Sequence, residues 1–205
     1  MRPPERIGAF ALRVVAWLAA AFAVWYLVSP LHERPAAWLA GLMLDAWDDH
    51  LYRGIEYGQH VVTFVTRLAV SAADGRVGVA ELEVNPLVYT YGSALFAALM
   101  LASGARWTRL VAGLALLLPF HAWGIAFDVV GQVLRAGPAL AAQAGLTGWP
   151  AEAGALGYQA GSLLFPPLVP IVLWVLFERP FVERLARTRL GGPANEPGRG
   201  DPRPG

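Results

Sequence analysis

His121, Asp128 and Gln132 are the side chains of this 205-residue chain whose types and spacing most suggest chemistry. They interrupt an apolar run at separations of seven and four residues. A helix of about 3.6 residues per turn places all three on one face. An imidazole and a carboxylate at such depth in an apolar helix would relay protons, bind a metal or line a polar docking groove. They would equally serve interhelical hydrogen bonding, with Tyr158, Gln159 or Ser162 as partners, and Asp128 would be solvated if it lay near an interface. A metal site needs further ligands. His32, His50 and His60 fall in a different segment, and their spacing matches no metal signature, so no metal and no cofactor are expected.

Other chemistries find less support. The chain has no cysteine, which excludes disulfides, zinc–thiolate sites and a thiol nucleophile. Ser93, Ser103 and Ser162 lack a nucleophile motif such as G-x-S-x-G, and the scattered glycines form no phosphate-binding loop. Asp45, Asp48 and Asp49, and the pair Glu81 and Glu83, read as solvated faces rather than cation sites. A formal net charge of +1 suggests no nucleic-acid partner.

The elements that must position these residues are those of a membrane protein. Hydrophobic residues make up 56% of the chain and charged residues only 15%, against roughly 25% charged in a soluble domain. Mean hydropathy is +0.46. So few charges would not cover a soluble surface, whereas lipid would cover much of a polytopic one. All sixteen basic residues are arginine, which physics does not require.

Four spans are expected. The first, about Ile7–Val28 within a 1–30 signal anchor, ends in a Trp25-Tyr26 pair suited to an interface and is expected to stay uncleaved. Leu31–His50 reads as a separate amphipathic interfacial helix, with Trp38, Leu39, Leu42, Met43, Ala46 and Trp47 on its apolar face and Gly41, Asp45, Asp48 and Asp49 opposite. From Gly58 to Val84 the period changes to two, with Asp74-Gly75 as the turn of a β-hairpin. Arg67 would pair across strands with Glu81 or Glu83. A lone hairpin is marginal, so it must rest on the amphipathic helix, on a third strand near Leu51–Tyr57, or on a partner.

Asn85-Pro86 joins this outer module (31–86) to a three-helix bundle (87–178). Proline at a strand end stops the ladder, and Asn85 satisfies backbone groups by a side-chain turn. Tyr91 anchors the interface and Gly92 permits close helix contact. The bundle's spans are about Leu87–Ser103, Leu110–Leu134 and Tyr158–Phe177, the last kinked by Pro166, Pro167 and Pro170. An outer loop occupies 135–157, and a basic, Pro/Gly-rich tail, 179–205, is expected to end in disorder. Four spans put eleven arginines on the side of the termini and five on the other, so both termini are expected in the cytoplasm of a multi-pass inner-membrane protein.

Several stretches resemble the exosortase H-associated membrane proteins. They are Val62-Thr63-Phe64-Val65-Thr66-Arg67-Leu68, Leu82-Glu83-Val84-Asn85-Pro86-Leu87-Val88-Tyr89-Thr90-Tyr91-Gly92, Ala122-Trp123-Gly124-Ile125-Ala126-Phe127-Asp128 and Leu156-Gly157-Tyr158-Gln159-Ala160-Gly161. The resemblance reaches from about residue 8 to residue 185. It implies a small bacterial inner-membrane protein of an exosortase sorting system. Exosortases are transpeptidase-like enzymes expected to use Cys, Arg and His, so a chain without cysteine resembles an accessory and not the enzyme. The implied partners are membrane lipid and an exosortase or its sorted substrates. The family offers no catalytic residues to carry over. Arg67, Asn85, Tyr91, His121, Asp128 and Gln159 remain the expected contact or packing residues, and a membrane enzyme or proton-coupled transporter using His121 and Asp128 is the alternative.

Overall fold

The computed structural model describes residues 7–48, 51–71 and 76–190, with side chains through residue 187. The chain begins with α1, one helix from Ile7 to Trp47. A small antiparallel sheet follows, β1 (Tyr52–Tyr57), β2 (Val62–Ser71) and β3 (Val77–Val84), in that spatial order. Next come α2 (Leu87–Thr90), α3 (Gly92–Ser103) and α4 (Trp107–Ala136), then α5 (Pro138–Gln143) and α6 (Trp149–Gln159). A π-helical turn, Ala160–Leu164, leads into α7 (Phe165–Phe177), and α8 (Arg179–Leu190) closes the described chain. Among the described residues three stretches are long and apolar enough to cross a membrane: Ile7–Trp47, Trp107–Ala136 and Trp149–Phe177; the apolar Leu87–Ser103 is shorter.

The separate interfacial helix expected at Leu31–His50 is not seen. The first span runs on unbroken to Trp47 through Pro30 and Pro35. Pro30 has no N–H to offer the Tyr26 carbonyl. The Ser29 hydroxyl donates to that carbonyl instead, at 3.1 Å, the side-chain repair that lets proline stand in membrane helices. The expected faces are also turned. Ala36, Ala37, Ala40, Gly41 and Leu44 are buried, while Trp38, Leu42 and Trp47 are exposed. Gly41 was expected on the polar face; a Cβ there would lie 2.6 Å from the Tyr52 hydroxyl and 2.9 Å from Ile55. Small residues win this face because β1 packs directly on it.

The third strand exists as β1, and β2 is the central strand. Its alternation puts Val62, Phe64, Thr66 and Leu68 inward, with Val65 also buried. Thr66 is the polar member of this face; its hydroxyl donates to the Ala80 carbonyl at 2.7 Å and accepts from the Leu68 N–H at 3.2 Å. Register shifts between Val65 and Ala69. Arg67 stands in that irregular stretch, exposed, and the backbone partners of Glu81 and Glu83 are Val65 and Thr63. Asp49, His50 and the Asp74-Gly75 turn lie outside the described residues, as does the tail beyond Leu190.

The 135–157 segment is mostly helical, not loop: α5 fills 138–143, and the last span begins at Trp149, nine residues before the expected Tyr158. The expected kink takes the form of the π-turn just before Pro166-Pro167. Two prolines in succession withhold N–H groups from Ser162 and Leu163, and the wider turn absorbs the loss.

Two large cores and a small cluster of Ala21, Ala94 and Ala98 hold the described residues together. At one end Phe10 of α1 stacks on Trp174 of α7 and meets Phe181 of α8, with Phe96 and Met100 of α3 in the same cluster. Arg109 adds a link there, donating to Glu178 at 2.8 Å and to the Phe177 carbonyl at 3.1 Å. At the other end Ala36–Leu44 of α1, the inner face of the sheet, and Ala122, Ile125, Ala126, Val129 and Val133 of α4 form one core with α5. The sheet is therefore packed on the continuations of two spans.

Candidate functional site at the joint of sheet and bundle

The chain leaves β3 at Val84 and turns into the bundle through Asn85-Pro86. The Asn85 side-chain oxygen accepts from the Leu87 N–H at 3.0 Å, as the side-chain turn required. Pro86 is buried at φ −64°, and its carbonyl accepts from the Tyr89 and Thr90 N–H groups at 3.0 and 3.1 Å. Tyr91, half-buried, links α2 to α3. Gly92 then touches α7 so closely that a Cβ would stand 2.5 Å from the Pro166 carbonyl oxygen.

α4 supplies the polar face foreseen from its spacing, but the structure divides that face in two. Asp128 accepts a hydrogen bond from Arg135 at 3.4 Å, with Tyr89 and Gln132 close enough to act on its carboxylate. Gln132 also donates to the Glu83 carbonyl at 2.8 Å, fixing β3 to α4. The Arg135 guanidinium lies 5.1 Å from the centre of the Tyr158 ring, a cation–π contact. Tyr158 thus completes a set that ties the last span to the joint, while Gln159 is exposed at the end of α6.

His121 belongs elsewhere. Its ring centre is 5.8 Å from that of His32 on α1. Both His121 nitrogens, His32 Nε2 and the Thr90 hydroxyl are buried with no hydrogen-bond partner among the described residues. His121 and Asp128 therefore do not form a hydrogen-bonded pair, and no group of three or more His, Cys, Asp or Glu among the described residues is arranged to hold a metal.

The sequence reading did not single out a second buried polar set on α1. Glu33 is buried, and its carboxylate is 3.4 Å from His60 Nδ1, which also lies 3.2 Å from the Ser29 hydroxyl. The His60 ring stacks on Tyr26 at 4.9 Å. His60 has φ 57°, a left-handed backbone uncommon outside glycine, and these contacts hold it there. The signal was present in Ser29, His32 and Glu33, three polar groups within five residues at the end of an apolar run. Where α1 meets the sheet, the Tyr52 hydroxyl donates to Asp45 at 3.1 Å. Burial first, then this bond to a carboxylate, pushes the Tyr52 pKa up to about 12.

Two surfaces remain uncovered. One is a groove of about 570 Å³ between α1, α3 and α4, almost wholly apolar, with His32, Pro35 and Ser93 at one end and Trp17, Leu101 and Leu110 at the other. The other is the outward face of α1 at the level of the sheet, where Trp38 is 57% and Leu42 45% exposed; Trp47, also exposed, lies half a turn round from Trp38.

These features define a membrane protein of at least three apolar spans with a three-stranded sheet built onto them. The family model of the exosortase H-associated membrane proteins matches residues 4–181, and the chain belongs to that family. No curated protein and no solved structure matches it.

Proposed function

We propose that this protein is a non-enzymatic accessory subunit of a bacterial exosortase-type sorting or export system, and that it binds the enzyme or its cargo outside the membrane. The supporting observation is the exposed pair of Trp38 and Leu42, four residues apart on one face of α1. From Ile7 to Trp38 a helix rises about 46 Å at about 1.5 Å per residue, whereas the hydrocarbon core is about 30 Å thick. Measured from Ile7, this pair lies past the hydrocarbon thickness in an upright helix, and no other part of the described chain covers it. Exposed aromatic patches of this kind mark interaction sites. The sheet beside it is held to α1 and α4 by the shared core and by the Gln132–Glu83 bond, which gives a partner a surface of fixed geometry.

In this reading α2 and α3 make a fourth crossing, both termini are cytoplasmic in the inner membrane, and the sheet faces outward. Asp128, engaged by Tyr89, Gln132 and Arg135, acts as a structural tie.

Crosslinking and affinity purification from native membranes, with mass spectrometry of the recovered proteins, tests the proposal. An exosortase or its cargo should be recovered with wild type, and recovery should fall in Trp38→Ser/Leu42→Ser while membrane insertion is kept. Asn85→Ala/Tyr91→Ala should weaken recovery by loosening the joint, and Asp128→Asn should not abolish function in vivo. Recovery of the protein alone, or only with itself, would refute the accessory role.

A further inference from the structure

We propose that the outer edge of β3 binds an extended segment of the partner protein as a further strand, with a basic side chain of that segment beside Glu81. This deepens the accessory reading and rests on it: it gives the kind of segment the partner presents. β3 stands last in the sheet order, so one side of it has no neighbouring strand. Which backbone groups point to that side follows from the side-chain bonds made to the sheet. Gln143 accepts from the Ala69 N–H at 2.9 Å and donates to the Ala69 carbonyl at 3.2 Å. Ala69 therefore turns both groups away from its β3 partner, Val79. In an antiparallel ladder both members of such a pair face outward, so Val79 directs its own N–H and C=O off the sheet. β3 keeps its alternation, and two further bonds agree with it. The Ala80 carbonyl points back to β2, where it accepts from Thr66 at 2.7 Å. The Glu83 carbonyl points out, where it accepts from Gln132 at 2.8 Å. Val77, Val79 and Glu81 thus line the outer edge with backbone donors and acceptors.

The fold closes the positions on either side of this stretch. Gln143 occupies the edge of β2 at Ala69 as a neighbouring strand would, and Gln132 covers the Glu83 carbonyl. Between them Val77 is 71% and Val79 37% exposed, and Gly78 and Glu81 are exposed with them. A Cβ on Gly78 would meet nothing within 4 Å, so the other face of the strand also has room beside it. Val77–Val84 contains no proline and no basic residue, two of the devices that close an edge strand to pairing. An extended chain laid there gains main-chain bonds at alternate residues, and its side chains fall alternately on the two faces. Charge narrows the occupant. Glu81 and Glu83 are exposed on the face that Val77 and Val79 share, and opposite charges side by side across strands stabilise the pairing. A second copy of this chain brings no basic residue in its own β3.

The full-length protein, carrying a photocrosslinking residue in turn at positions 77 and 79, is irradiated in native membranes and affinity-purified, and the crosslinked partner residues are mapped by mass spectrometry. Crosslinks from the two positions should fall two residues apart on one partner segment, and the next alternate position of that segment should hold arginine or lysine. Val79→Pro removes an N–H that the protein's own ladder does not use, and it should cut the crosslink from position 77 about tenfold, the loss of one interchain hydrogen bond. Glu81→Arg should lower the same yield with the backbone untouched, should the proline variant fold poorly. Crosslinks without the two-residue step, crosslinks to β3 of a second copy, or a yield that neither variant lowers would overturn the assignment. Recovery of an exosortase or its cargo with no crosslink at either position would overturn it and leave the accessory role standing. Recovery of no partner at all would remove both.

Discussion

A methyl group on Gly92 tests how the joint is closed. The added Cβ would lie 2.5 Å from the Pro166 carbonyl oxygen and 2.9 Å from Pro170 Cγ. Ordinary contact begins near 3.4 Å, so α3 and α7 must separate by about 0.9 Å, a local overpacking that costs about 1–3 kcal/mol. The opposing atom is backbone and does not swing aside. Its position has a cause: residue 170 is proline and gives no N–H to the carbonyl four residues earlier, so that oxygen is free to face Gly92. Helix propensity works the other way, since alanine replacing glycine returns up to about 1 kcal/mol. The net loss for Gly92→Ala is then about 1–2 kcal/mol. In a chain of this size each kcal/mol moves the midpoint by about 2–4 °C, so the melting temperature in detergent should fall by about 2–8 °C. Gly8→Ala, which meets nothing within 4 Å, is the control and should melt at or above wild type. Pro170→Ala restores the missing N–H and removes the ring carbon. In the double variant it should therefore recover part of the loss, with a coupling of at least about 0.5 kcal/mol. Gly92→Ala melting with the control, or a strictly additive double variant, would refute the reasoning.

Three further outcomes are expected. Thr66→Val keeps the shape of the buried position but strips the Ala80 carbonyl and the Leu68 N–H of their partner; it should cost about 1–3 kcal/mol, read as a lower melting temperature with unchanged membrane insertion. Gln132→Ala releases β3 from α4, and amide exchange in Val77–Val84 should quicken while that of α4 below Ala122 does not. Tyr52, its pKa raised from 10.0 to about 12, holds its proton in the folded state after the unfolded chain has lost it. Its contribution to stability is full below pH 10 and declines between pH 10 and 12, so Tyr52→Phe should flatten that part of an alkaline unfolding curve, and equal alkaline sensitivity in the two proteins would count against the assignment.

The period-two run from Val62 and the turn at Asn85 were readable because strand alternation and side-chain turns are local properties of a few residues. The length of α1 was not. Proline inside an apolar run suggests a break, and the repair lies in the Ser29 hydroxyl, which a periodicity reading does not weigh. Likewise the spacing of His121, Asp128 and Gln132 correctly gives one helix face, yet says nothing of what stands opposite each turn. The fold sets His32 against His121 and Tyr89 with Arg135 against Asp128. His32–His121 and Tyr89–Asp128 join segments about 40 to 90 residues apart and follow from packing alone, whereas Arg135 stands seven residues from Asp128 on the same helix. Glu33 escaped notice because its partner, His60, is held in place by a loop with a left-handed residue.

The face of α1 beside the sheet carries the more general physics. In water, bulky apolar side chains mark the buried side of a helix, because burial is driven by the area removed from solvent. Here Ala36, Ala37, Ala40 and Gly41 are buried and Trp38, Leu42 and Trp47 are not. Close approach explains the first half: a strand and a span packed against one helix at Tyr52, Ile55, Ile125 and Val129 leave room for little beyond a methyl group. It does not explain the second, since nothing about tight packing on one side requires tryptophan on the other. An exposed aromatic stripe costs solubility in an isolated protein, and lipid relieves that cost only within the hydrocarbon thickness. Beyond it, under the accessory role proposed above, the relief comes from another polypeptide. This argument singles out Trp38→Ser/Leu42→Ser as the variant that should lose its partner without losing its fold, because those side chains contribute little to the molecule's own core. A variant that unfolded instead would mean that the stripe packs on the protein itself.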